Sequence, residues 1–196
     1  MCSTTIRYRS SAAGLRIAAV AVCCWTGSAL AAPTVLDFED QPPGTTITAQ
    51  YGALGVIFDR AFLSNAALFN AGTVAHSGTR VLRSDNPINE FNSGPLVITF
   101  TSAQARVKFF AGTEVVPISG TMRAFDAANN VVGTDGPRLV AENVFTTAFE
   151  IVVQTPSIVR VEFQLESTAF EAIDDLEFEG EPPAPPPTEP PIVTVT

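Results

Sequence analysis

Between residues 34 and 180 apolar side chains recur at every second position in short runs, the period of a half-buried strand. In Val159-Arg160-Val161-Glu162-Phe163-Gln164-Leu165, four apolar residues face one way and three polar ones the other. Phe145, Thr147, Phe149, Ile151 and Val153 repeat the pattern, as do Leu96, Ile98 and Phe100, and Val107 with Phe109. Further strands are expected at Val35–Glu39, Gly55–Asp59, Arg80–Arg83, Thr121–Asp126, Val131–Thr134 and Ala172–Phe178. Asp126-Ala127-Ala128-Asn129-Asn130 supplies hairpin-turn chemistry, because Asn and Asp tolerate positive φ. One helical turn is expected around residues 47–54, and no window carries a longer stripe at helical spacing. About eight or nine short antiparallel strands separated by Gly and Pro turns predict an all-β sandwich or barrel. The polar alternate face of the clearest strands favours two sheets packed face to face.

The ends of the chain read differently. Arg7, Arg9 and Arg16 form an acid-free basic lead, followed by an apolar run from Ile17 to Trp25 and then Ala29-Leu30-Ala31. That order is a secretory signal with an A-x-A cleavage site, so residues 1–31 are expected to be removed on export. The run is shorter than the roughly 20 apolar residues a membrane span needs, and no later run is long enough. Residues 181–191, EPPAPPPTEPP, read as an extended polyproline linker. The β-branched residues 192–196 are expected to open a further β domain. This leaves residues 32–180 as the sandwich.

Export changes what the composition means. The 196-residue chain is 46% hydrophobic, with 11 basic and 20 acidic side chains and a net charge of −9. Removing residues 1–31 takes away three arginines, Cys2, Cys23, Cys24 and Trp25, and leaves eight basic and twenty acidic residues, a net −12. Thiol and disulfide chemistry are thereby excluded, and zinc is disfavoured with His76 as the one histidine. The acidic balance argues against nucleic acid. His76 beside Ser77 is not a hydrolytic triad, because adjacency in sequence does not build that geometry. No phosphate loop, dinucleotide fingerprint or EF-hand loop is present.

Acidic residues mark both ends of the expected domain: Asp37, Glu39 and Asp40 at the first strand, Asp174 and Asp175 at the last. Domain termini tend to lie close together, and Asp37 and Glu39 face the same way if the strand alternates. Carboxylates gathered there would raise one another's pKa, and a hard cation such as calcium would resolve the conflict. Strand-end acids lying in water explain the same pattern.

Asp37-Phe38-Glu39, then Ala75-His76-Ser77-Gly78-Thr79-Arg80-Val81-Leu82, then Ala172-Ile173-Asp174-Asp175-Leu176 together resemble the galactose-binding-like jelly-roll superfamily, which includes many carbohydrate-binding modules. The resemblance spans about residues 34–180. It implies an antiparallel jelly-roll sandwich with a structural Ca2+ held by the side chains of Glu39 and Asp174. Asp37 would contribute its carbonyl, a carbonyl between Ser77 and Arg80 would complete the shell, and Asp175 is a second-choice ligand. It also implies glycans or surface proteins as partners, in a secreted, non-catalytic binding or adhesion module. The aromatic platform that usually holds sugar rings is lacking, since Tyr51 is the one Tyr or Trp after residue 31. Phe62, Phe69, Phe91, Phe110, Phe125 and Phe170 fall near loops or out of phase, and Arg80, Arg83, Arg123 and Asn89 could contact sugar. A ligandless structural spacer and a glycoside hydrolase or lyase on the same scaffold are the alternative readings.

Overall fold

The computed structural model describes residues 32–59, 61–65, 73–84, 94–113, 116–166 and 172–180, with the backbone alone for 62–65. The signal, the Pro-rich segment and residues 192–196 lie outside them, as do Phe69, Asn89, Phe91 and Phe170.

Among the described residues twelve strands form two antiparallel sheets: β1 (Thr34–Leu36), β2 (Thr46–Ile47), β3 (Val56–Asp59), β4 (Ala61–Asn65), β5 (Arg80–Ser84), β6 (Leu96–Gln104), β7 (Arg106–Gly112), β8 (Ile118–Phe125), β9 (Val131–Val140), β10 (Thr147–Val152), β11 (Ile158–Leu165) and β12 (Ala172–Glu179). Sheet A runs β10-β7-β12-β5-β4-β2 with β1 also on β12, and sheet B runs β3-β6-β11-β8-β9. From β5 onward the order is β5-β12-β7-β10 in one sheet and β6-β11-β8-β9 in the other, so the first and last of these eight strands are neighbours. The fold is an antiparallel β-sandwich.

Alternation explains the interior. Val161, Phe163 and Leu165 of β11 are buried while Gln164 between them is exposed. Phe109 and Phe149 from sheet A meet Phe163 from sheet B, each 5.1 Å from it between ring centroids, at the centre of the core. Such aromatic pairs stabilise by about 1 kcal/mol beyond area burial. The 126–130 turn forms as expected: Asp126 and Asn130 close it through their backbones, and Asn129 takes φ 65°. The helical turn is a single 3-10 turn, Gly52–Leu54.

Three expectations change. The first strand stops at Leu36 instead of Glu39, because Phe38 adopts φ 61° and turns the chain. Asp37 and Glu39 therefore do not alternate as strand neighbours. Phe145 lies outside β10 and packs with Val81 and Ala172 in a second, smaller core. Its ring covers Gly112, where a Cβ would come within 2.7 Å of it. Phe125 is buried, with the Arg160 guanidinium 4.0 Å above its ring.

The edge pair β9 and β10 is blunted. Asp135 of β9 accepts the Glu150 amide of β10 at 2.8 Å, and Arg138 holds Asp135 at 2.6 Å. Charged side chains here occupy groups that could otherwise recruit another strand.

Candidate functional site

Two regions carry chemistry, and the first is where acidic residues near β1 and on β12 hold one turn. β12 changes partners along one edge: Ala172 and Ile173 pair with β5, while Leu176, Glu177 and Phe178 pair with β1. Its other edge bulges against β7 between Asp174 and Glu177. Asp174 and Asp175 thus fall in the gap between β5 and β1, where Asp175 takes φ 47°.

The turn 76–79, leading into β5, fills that gap. Asp174, fully buried, accepts the Ser77 amide at 3.0 Å and the Asp175 amide at 2.8 Å. Asp175 accepts the Ser77 hydroxyl at 2.6 Å and lies 2.6 Å from His76 Nδ1. Glu39 Oε1 accepts the amides of Thr79 at 2.6 Å and Arg80 at 2.7 Å. The Arg80 guanidinium turns back to donate to the carbonyls of Glu39, at 2.8 Å, and Gln41. Gly78, at φ 52°, is required twice over: the left-handed region disfavours a side chain, and a Cβ would lie 2.4 Å from Glu39 Oε1.

These contacts set the electrostatics. Burial pushes the Asp174 carboxyl up to about 6, against the pull of the Ser77 amide, and the Asp175 charge adds to the rise. Burial also opposes ionisation of Glu39, but the Thr79 and Arg80 amides, the Thr79 hydroxyl and the Arg80 charge together hold it below its ordinary 4.5.

The residues named from sequence thus line one turn, through contacts other than those expected of metal ligands. Glu39 is bound to the Thr79–Arg80 end of that turn, and Asp174 and Asp175 to its His76–Ser77 end. Asp37 is exposed and caps its own turn by accepting the Glu39 amide at 3.1 Å. Calcium needs 6–8 oxygen lone pairs turned to a common point. The donor set is right in kind, but hydrogens of N–H and O–H groups are aimed at the carboxylates. Among the described residues no three His, Cys, Asp or Glu side chains are arranged to hold a metal. The residues do not fit a calcium ion in this arrangement.

His76 is more than a surface residue. Its ring stacks on Phe110 at 3.4 Å and 11°, with Lys108 4.6 Å from the Phe110 ring. Phe110's out-of-phase position was the one sequence signal of this contact. The Ser77 hydroxyl goes to Asp175 and not to the imidazole, so no nucleophile–base pair forms.

The second region is a polar groove of about 290 Å³ on the outer face of β8 and β11, lined by Pro95, Thr121, Arg123, Glu162, Gln164, Leu165 and Glu166. Register sets its rows: Arg123 stands opposite Glu162, and Thr121 opposite Gln164. Arg160 anchors Glu162 by an ion pair. Arg123 is exposed and carries no ion pair or hydrogen bond among the described residues. Of the residues named for sugar contact, Arg123 lies in the groove; Arg80 belongs to the turn and Arg83 lies on β5. Phe110 and Phe125 are covered by His76 and Arg160 and form no open platform. No helix among the described residues is long and apolar enough to cross a membrane.

The class these features define is an antiparallel β-sandwich with its terminal strands clasped by carboxylates. No protein-family model and no curated protein matches the sequence. In fold the chain is similar to the K2 cleaved adhesin domain of Lys-gingipain, at 15% identity and TM-score 0.46, over 75% of this chain and 99% of that one. It is similar to a family 35 carbohydrate-binding module from Clostridium thermocellum, at 16% identity and TM-score 0.38, over 76% of this chain and 98% of that one. A third likeness is to an arabinose-bound α-L-arabinofuranosidase, at 11% identity and TM-score 0.42, over 76% of this chain and 26% of the enzyme. All three concern the fold alone.

Proposed function

We propose that this chain is an exported, non-catalytic binding module of jelly-roll type whose ligand is a glycan held in the groove on β8 and β11. The observation that carries the reading is the groove itself. It offers the unpaired Arg123 guanidinium as donor, Glu162 and Glu166 as acceptors, and Gln164 and Thr121 as both. Sugar hydroxyls, each donor and acceptor, match that mixture, and half-buried Pro95 gives a C–H face something apolar to rest on. The strand order from β5 to β12 supports the jelly-roll reading. Export rests on the pattern of residues 1–31.

The groove lies at the end of the sandwich where β6 and β12 begin, while Ala32 and Gly180 lie together at the other end, lining one 200 Å³ cleft. A ligand surface remote from the flanking segments suits a module carried on a linker. The test is retention on immobilised polysaccharides, with Arg123→Ala and Gln164→Ala beside the unaltered chain. Retention that falls at least tenfold in the variants, with thermal midpoints unchanged, is the expected result. An unaltered chain that is retained by no polysaccharide would overturn the reading and leave the structural spacer.

A further inference from the structure

The relation between Arg80 and the first turn carries a conclusion separate from glycan binding. The resemblance places a calcium ion between the first strand, the 76–80 turn and the last strand. In this chain the expected side-chain ligands Glu39 and Asp174 already accept hydrogen bonds from within the protein. Glu39 supplies two acceptor sites of opposite use: its carboxylate takes the amides of Thr79 and Arg80, and its backbone carbonyl takes the Arg80 guanidinium. The same guanidinium bonds the Gln41 carbonyl, so one positive group draws together two carbonyl oxygens of the first turn and stands beside the Glu39 charge. Converging carbonyls with a carboxylate nearby are what a hard cation would demand. Here an arginine side chain meets that demand.

We propose that Arg80 is the resident cation of this domain, bonded to the Glu39 and Gln41 carbonyls beside the Glu39 carboxylate, and that the clasp closes without calcium. Phe38 and Gly78, both in the left-handed region, turn their segments so that amides and not carbonyls face the carboxylate. Asp174 and Asp175 take other partners: the Ser77 and Asp175 amides, the Ser77 hydroxyl and His76.

The experiment uses the chain stripped with chelator. Titration with calcium chloride is expected to give no saturable heat, and the thermal midpoint is expected to be the same in chelator and in millimolar calcium. Arg80→Met, which keeps the aliphatic stem and removes the charge, is expected to lower the midpoint by about 5 °C. Saturable binding of one calcium, or a midpoint that falls in chelator, overturns the proposal, as does an Arg80→Met chain as stable as the unaltered one. If Arg80→Met does not fold, Arg80→Lys reads the same interaction with the charge retained, and the calcium arms on the unaltered chain still decide. Because no arm involves polysaccharide, failure here leaves the groove reading untouched, and the reverse holds too.

Discussion

Asp174 on the last strand accepts the backbone amide of Ser77, 97 residues earlier in the chain, at 3.0 Å. A carboxylate with no exposure to water thus holds one end of a turn whose other end is tied to Glu39. The stability of the domain's closing edge should follow the protonation and geometry of this small group.

The first expectation concerns pH. A carboxyl raised from 3.8 to about 6 in the fold favours folding while protonated. Its contribution is complete below about pH 4 and is lost as pH rises through about 6, with a slope of at most roughly 1.4 kcal/mol for each pH unit. Urea unfolding at closely spaced pH values should show stability falling across that window. Asp174→Asn should flatten the fall. Glu39 acts in the opposite sense, since its lowered pKa adds stability above 4.5 that is lost on acidification. An Asp174→Asn profile parallel to that of the unaltered chain would contradict the assignment.

Glu39 and Gly78 should behave as one unit. Glu39→Ala leaves two amides without their charged acceptor, and Gly78→Ala puts a methyl where that acceptor sits. Each single change is expected to destabilise by about 2 kcal/mol. Because both remove the same contact, the double variant should be little worse than either single one. Additive losses in chemical denaturation would show that the two act separately.

The closeness of the first and last strands was legible in the sequence, while the contacts their acidic residues make were not. The tendency of domain termini to lie close together was enough to expect the first and last strands side by side, and β1 does pair with β12. Alternation located β11 and the core Phe residues for the same reason: one buried face leaves little freedom of register. Periodicity is silent where the backbone leaves the strand. Phe38 at φ 61° and the bulge at Asp175 reverse the directions that side chains would otherwise take. A turned residue of type Phe has no signature in composition. The His76–Phe110 stack depends on the small core of Val81, Phe145 and Ala172, with Ala75 packed against it, which positions the segment before His76 by long-range packing.

That small core gives a third expectation. Gly112 underlies the Phe145 ring so closely that a methyl at 112 must displace it. Gly112→Ala should cost about 2 kcal/mol. It should also raise amide exchange at Val74 and Phe145, whose backbones bond the 141–145 loop to the 73–75 segment. Protection at those two amides equal to that of the unaltered chain would show that Phe145 does not hold the layer down.

Tyr51 offers an optical reading of the first turn. Its buried hydroxyl donates to Asp40 at 2.5 Å, and burial followed by the Asp40 contact and charge moves its ionisation well above the ordinary 10. Stability that rests on the neutral phenol is lost as pH rises past 10, where an unfolded Tyr ionises. An alkaline titration read by ultraviolet absorbance should therefore show Tyr51 ionising only together with unfolding. Ionisation near 10 with the fold intact would place the ring in contact with water. Tyr51→Phe should cost about 1 kcal/mol.

The pairing of β1 with β12 also decides how the domain answers a pull. Thr34 lies opposite Phe178, so both flanking segments depart from one end of a short antiparallel pair. Tension between them would open that pair rung by rung, the geometry of a zip and not of a shear joint. Three residues into the tear, at Leu36, the front reaches the turn of Asp37, Phe38 and Glu39, where the carboxylate is tied to Thr79 and Arg80. Rupture must then break charged contacts and draw Phe38 out of the core together, so the clasp is the stop at the bottom of the zip.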